Sequence, residues 1–401
     1  MNLFSSVTTI LILGLIVRLL PAAFTAHPLD IESWKAVGAA IYSGQNPYAL
    51  PAFGLVYPPL WGFICGMAYA IYASTQSALM FNFVIKLPII LADLALAITI
   101  KNFVLAKTAN EKKAKEALAL YLFNPMTIIL SGIWGMFDAI PVFLVLLSTI
   151  LLLKTQYLKS SIVFGFAIAF KGFYPAMLLP LFSYIIIRVQ GKIREGIKYL
   201  ALSAIVPFAI SMPFLIADAS AFFDMTTLHF AQRPLSNLTY WYPVHLVLPQ
   251  YQNLLSNLGF TSFIVLFSVS YIYLAKLADL KTITLSMTQI ILAFFLTSPT
   301  VNEQYITWLL MPMILYVTIE QQSLKKLLYV LTGIVTVFTL ANTGPSFFSP
   351  LHLDLDQIHG LWPLTLIMVV CSVFFVLVSL LVLQKTIKQE RLQYVERGIS
   401  A

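Results

Sequence analysis

Uninterrupted apolar runs, such as WPLTLIMVVCSVFFVLVSLLVL at 362–383, constrain this chain more than any other feature. A helix of roughly 20 apolar residues crosses a hydrocarbon core about 30 Å thick. Lipid offers no partner for backbone N–H and C=O groups, so a spanning segment is either helical or part of a closed barrel. These runs are continuously apolar and do not alternate, which speaks against a barrel. Only 10% of the residues are charged and 60% are hydrophobic, whereas soluble chains carry about 25% charged residues. The expected fold is all-α, a polytopic transmembrane helical bundle of about 10–13 membrane segments, some of them short or re-entrant. Cys65 and Cys371 lie within apolar runs and read as small buried hydrophobes.

The formal net charge is +8, and its distribution speaks for membrane topology. No nucleic-acid partner is expected. Of the 24 basic residues, 19 fall in six clusters at 101–116, 152–159, 187–198, 274–281, 324–326 and 384–397. The positive-inside rule places such clusters in the cytoplasm. Two adjustments make that possible. Residues 59–73 form a partial or re-entrant segment, and 160–187 break at KGFYP (171–175) into two short helices. Residues 3–20 resemble a signal-peptide core but lack a positive leader and contain Arg18, which favours a retained anchor helix. The outer face then receives the 24–58 loop, SGIWGMFD (131–138), KGFYP, a long loop around 217–258, SPTVNEQY (298–305) and the 342–360 loop. A multi-pass protein of the cell membrane is expected, or of the endoplasmic reticulum if the source is eukaryotic, with its working site extracytoplasmic.

Carboxylates gather on that outer face with aromatic rings and stray cations. Asp30 and Glu32 would leave on one side of an extended backbone and raise one another's basicity, as a general base requires. The alternative is a solvated helix cap after TAHP. Lys171 sits at the membrane boundary, and Arg233 lies close to His229, Tyr240 and Trp241. Arginine and lysine together suit a phosphate at the lipid–water interface, and snorkelling to lipid headgroups is the alternative. Asp138 either lines a site or caps the next helix. Asn302, Glu303 and Gln304 precede Tyr305 and Trp308, a set that suits sugar hydroxyls through hydrogen bonds and ring stacking, or else a polar cap on an aromatic belt. Lys86 and Asp93 share one helix face and are expected to hydrogen-bond neighbouring helices. Metal-protease and nucleotide-binding motifs are absent. The outer carboxylates leave open a divalent cation bound through oxygen ligands.

Several ordered segments resemble the GT-C superfamily of integral-membrane glycosyltransferases, in particular polyprenol-phosphate-mannose-dependent mannosyltransferases. These are Asp30-Ile31-Glu32 after the first helix, GQNPYALPAFGLVYPPLW, KLPIILADL, NPMTIILSGIWGMFDAI, FKGFYPAMLLP and SPTVNEQYITWLLMP. They run from about residue 25 to 312. The acidic motif is Asp-x-Glu where the family has Asp-x-Asp, and Trp134-Gly135-Met136 stands where relatives often carry a GQ-type sequence. The resemblance implies a catalytic module over 1–320 and, over 321–401, C-terminal helices with a basic cytoplasmic tail. It implies an inverting transfer of a hexose such as mannose from a polyprenyl-phosphate donor to a lipid or glycan acceptor. No cofactor is certain beyond the possible divalent cation. Asp30 and Glu32 would be the catalytic pair, and Lys171, Arg233 and His229 would hold the donor phosphate. Tyr57, Asp138, Tyr240, Trp241, Asn302, Glu303, Gln304 and Tyr305 would contact substrate. A secondary transporter or flippase of a lipid-linked or anionic substrate is the rival reading, because broken helices and intramembrane charges also suit a transport path.

Overall fold

The computed structural model of the protein describes residues 6–231, 235–348 and 362–396, with side chains throughout these except at 227–231 and 392–396. It is a helical bundle. Among the described residues, six helices are long and apolar enough to cross a membrane, and a seventh span results if the bent pair Glu111–Leu122 and Pro125–Trp134 counts as one. Four further apolar helices among the same residues are shorter.

Local chemistry sets the breaks. Helix α1 (Val7–Ala22) is followed by α2 (Pro28–Tyr42), α3 (Pro59–Thr75) and the 31-residue α4 (Ala78–Thr108). The 24–58 region read as a loop therefore contains a helix. Pro28 sits at its first turn, where a missing N–H costs nothing, and His27 caps it. At 1.5 Å per residue, α4 is about 46 Å long. Helix α3 begins just after Tyr57, and α4 follows it after two residues. α5 (Glu111–Leu122) and α6 (Pro125–Ile128) meet at a 52° bend where Asn124 caps the second helix through the Met126 N–H. Helix α6 continues as a π-helical turn, Ile129–Trp134, that stops at Gly135 with φ +91°.

α7 (Ala139–Leu153) and α8 (Tyr157–Phe170) form a hairpin, and the chain breaks at Lys171 and Gly172 before α9 (Phe173–Gln190). The expected interruption at KGFYP is present. α10 (Ile193–Ala231) is kinked where Asp218 is extended, and the Asp218 side chain caps the following turn through Ser220 and Ala221. The supposed loop around 217–258 thus holds the end of α10, a short α11 (Trp241–Val247) and the start of α12 (Gln252–Leu277). α13 (Ile283–Thr297), α14 (Ile306–Ile319), α15 (Lys325–Asn342), α16 (Gly344–Phe347) and α17 (Trp362–Glu396) complete the bundle. A two-residue parallel bridge, Ser236 with Thr300 and Asn237 with Val301, ties two connecting segments together.

The bundle has two chemically distinct ends. At one, the basic segments meet: Lys325 pairs with Glu116, Lys113 donates to Ile319 O, and Arg188 donates to Ala278 O. Helices α13, α14 and α15 run between that end and a polar cleft at the other. Buried charges join the helices in between. Arg18 is fully buried and donates to Asp93 (2.6 Å), Ser131 (3.1 Å), Thr127 (2.9 Å) and the carbonyls of Gly14 and Leu122. Asp93 also accepts from the Tyr121 and Ser131 hydroxyls. Lys86 donates to the carbonyls of Thr25, Gly132 (3.2 Å) and Ile133 (2.8 Å). Both Lys86 and Asp93 thus bond neighbouring helices, and removing one member of such a network costs about 3–5 kcal/mol.

Candidate active site

At the end of the bundle away from the basic segments lies an open cleft of about 530 Å³. Its wall begins with α2. Positions 27, 30 and 34 recur at three and four residues and so share a helix face, and His27, Asp30, Ser33 and Trp34 all line the cleft. Glu32 falls about 200° around the helix from Asp30 and is exposed. The extended geometry that would pair the two carboxylates is not adopted, because Pro28 and the His27 cap start a helix there.

Asp30 is held from the opposite side. The Trp134 indole N–H donates to Asp30 Oδ2 at 2.6 Å, and the Asp30 side chain remains 30% exposed. His27 stacks on the Trp134 ring, with centroids 4.6 Å apart and planes at 12°. His27 Nδ1 accepts the Asp30 backbone N–H, and burial lowers the pKa of His27 below 6.5 despite the nearby Asp30 charge. Accepting through Nδ1 is the hydrogen bonding of a neutral imidazole.

The rest of the wall comes from distant parts of the chain. The NPY stretch folds the first loop against the cleft: Asn46 Oδ1 accepts the Tyr48 N–H, and the Tyr48 hydroxyl donates to Tyr57 O. Tyr57 lines the cleft with Asn302, Glu303 and Gln304, as do Asn237 and Asn342. The Asn237 amide donates to Asn302 Oδ1 at 2.8 Å, and the Asn342 amide donates to Glu303 Oε1 at 2.5 Å. Gln304 is 5% exposed, and its buried Oε1 has no hydrogen-bond partner among the described residues. The Asn237 side chain is thus engaged at the cleft, and Thr239, two residues on, is fully buried.

Other expected site residues lie elsewhere. Asp138 is buried, and it accepts from Lys171 Nζ (2.7 Å) and the Trp308 indole (2.5 Å). The Lys171 ammonium lies 5.2–5.9 Å from the ring centroids of Tyr57, Phe137, Tyr305 and Trp308. Neither Lys171 nor Asp138 lines the cleft. Tyr240 and Trp241 pack on one another at 5.0 Å, also off the cleft wall. The side chains of His229 and Arg233 lie outside the described residues. Tyr305 stacks on Trp308 at 3.9 Å and lines a second, mainly apolar cavity of about 330 Å³ with Phe173, Phe260, Phe263, Phe294 and Thr300. The segment 298–305 therefore borders both spaces. Among the described residues no three His, Cys, Asp or Glu side chains converge as a metal site would need.

Nothing local in the sequence marks Trp134, Asn237 or Asn342 as neighbours of a carboxylate. Trp134 stands out only as a departure from a family pattern, and Asn342 lies beyond the resembling segments. Both act through contacts 104 and 39 residues away in sequence.

No protein-family model and no curated protein matches the sequence. In structure, the chain is similar to ArnT from Cupriavidus metallidurans, solved bound to undecaprenyl phosphate. The match has a TM-score of 0.53 at 15% identity and covers 94% of this chain and 72% of that one. The chain thus shares the polytopic helical fold of that structure.

Proposed function

We propose that the protein is an integral-membrane glycosyltransferase. It moves a sugar, a hexose such as mannose, from a polyprenyl-phosphate donor to a hydroxyl of a glycolipid, glycan or protein at the extracytoplasmic face. The observation that carries this reading is Asp30, a fixed and partly exposed carboxylate on the wall of a polar cleft. The clustering of basic segments at the other end of the bundle supports an outward-facing cleft.

The acceptor hydroxyl attacks the anomeric carbon opposite the phosphate, and Asp30 takes its proton. The phosphate departs with the electrons of the broken C–O bond, so the configuration inverts. A phosphate monoester dianion leaves as a stable anion, and no general acid is required. What the protein supplies is placement and proton removal. The amides of Asn237, Asn302, Gln304 and Asn342 suit sugar hydroxyls, and Gln304 Oε1 stands ready to accept one. The donor phosphate is assigned to Arg233 and His229, since the Lys171 charge is matched by Asp138. The apolar cavity behind segment 298–305 suits the first isoprene units, in keeping with the undecaprenyl phosphate carried by the similar structure.

The test is Asp30→Asn, assayed in membranes supplied with lipid-linked sugar. Transfer is expected to vanish with the amount of protein unchanged. A fully active variant sinks the reading, and sugar flux without transfer in proteoliposomes would favour the transporter.

A further inference from the structure

We propose that Trp134 is a positioning residue that sets the orientation of the Asp30 carboxylate for proton removal, and that the buried Arg18–Asp93 and Lys86 networks exist to aim it. This rests on the reading of Asp30 as the general base. An aspartate on the first turn of a helix has two rotatable bonds and samples several rotamers when exposed. Here Oδ2 is fixed by an indole N–H at 2.6 Å, within the short range expected of a hydrogen bond to an ionised acceptor. Oδ1 takes no hydrogen bond from the described residues, which leaves one oxygen for the acceptor hydroxyl. A hydroxyl on the cleft side then meets a base already oriented, where misplacement by an ångström costs about a hundredfold in rate.

The indole reaches Asp30 because of an unusual backbone. Residues Ile129–Trp134 form a π-helical turn, a form that is rare and occurs mostly as single turns. Three sets of contacts hold it. Arg18 and Asp93 both bond Ser131 at its start. Lys86 and the Thr25 hydroxyl both donate to Ile133 O near its end. The His27 N–H donates to Trp134 O. Gly132 packs so closely on α1 that an added Cβ would lie 2.9 Å from Arg18 O. Gly135 then turns the chain away in a left-handed conformation. The intramembrane charges that a transport path could have used are thus engaged in holding one aromatic side chain against the candidate base.

Trp134→Phe deletes the N–H and keeps a ring to stack on His27. The expected result is a fall in kcat of roughly 10- to 100-fold, with KM for the lipid-linked donor and the unfolding midpoint unchanged. In an Asp30→Glu background, whose longer carboxylate no longer meets the indole in the same place, the same substitution should cost much less. Equal losses in both backgrounds would show a diffuse packing effect and overturn the proposal. So would a normal kcat for Trp134→Phe while Asp30→Asn abolishes transfer, an outcome that leaves the glycosyltransferase reading intact. Full activity of Asp30→Asn would instead remove that reading and this inference with it. If Trp134→Phe lowers the yield, benzothienylalanine at position 134 replaces only the N–H by sulfur, and the same kcat loss is expected.

Discussion

Replacing Lys171 with methionine keeps the length of the stem but deletes the ammonium that donates to Asp138 Oδ2 at 2.7 Å. Both groups are interior, 5% and 1% exposed, so water cannot take over. Among the described residues Asp138 would retain one donor, the Trp308 indole at 2.5 Å. Removing one partner of a buried pair costs about 3–5 kcal/mol, and the surviving indole bond places the expected loss near about 3 kcal/mol. Removing both charges, Lys171→Met with Asp138→Leu, leaves no stranded ion, and about 2–3 kcal/mol of that loss should return as a coupling energy. Thermal unfolding of the detergent-purified protein reads both quantities: the midpoint falls by several degrees in the single variant and largely recovers in the double. An unchanged midpoint in Lys171→Met, accompanied by lost donor binding, would refute the reasoning. It would mean that the ammonium serves the donor phosphate, as its place in the sequence suggests.

Asn342→Leu withdraws the amide that donates to the buried Glu303 at 2.5 Å. KM for the donor should rise about tenfold, with a stability loss of roughly 1–3 kcal/mol, in steady-state kinetics and unfolding scans. Gly135→Ala forces an L side chain to φ +91° with its Cβ 2.9 Å from the Lys86 stem. It should cost roughly 1–3 kcal/mol and lower kcat, because both the backbone turn and the aim of Trp134 suffer. Burial holds the folded pKa of His27 below the ordinary 6.5, so the unfolded chain binds more protons just below that value. Stability should therefore be intact above pH 6.5 and decline as the pH falls from there toward the folded pKa. His27→Phe should flatten that slope in unfolding scans between pH 7.5 and 5.5.

Membrane class and helical architecture were legible because they follow from apolar run length, which local sequence records directly. Lys86 and Asp93 were legible as helix-bonding residues because a charge inside lipid must find a partner. Arg18 was read only as a mark of a retained anchor helix, and which acid it meets depends on how α1 lies against α4. Asp30 lines the cleft from a helix, not from an extended segment, and that sends Glu32 into solvent. Lys171 and Asp138 were each conspicuous, yet nothing local says that the two would meet. Asn237, Trp134 and Asn342 were hidden because neutral amides and a tryptophan look ordinary until distant segments bring them beside a carboxylate.

Segment 298–305 presents Ser298, Thr300 and Tyr305 to a greasy chamber and Asn302 to Gln304 to a wet one. A ligand with a hydrocarbon chain and a hydroxylated head would press on this one partition from both directions. A bare sugar phosphate or an undecorated polyprenol would each push on a single side. Recognition would then behave as a conjunction of two inputs, and substitutions along the partition should disturb chain-length preference and sugar preference together.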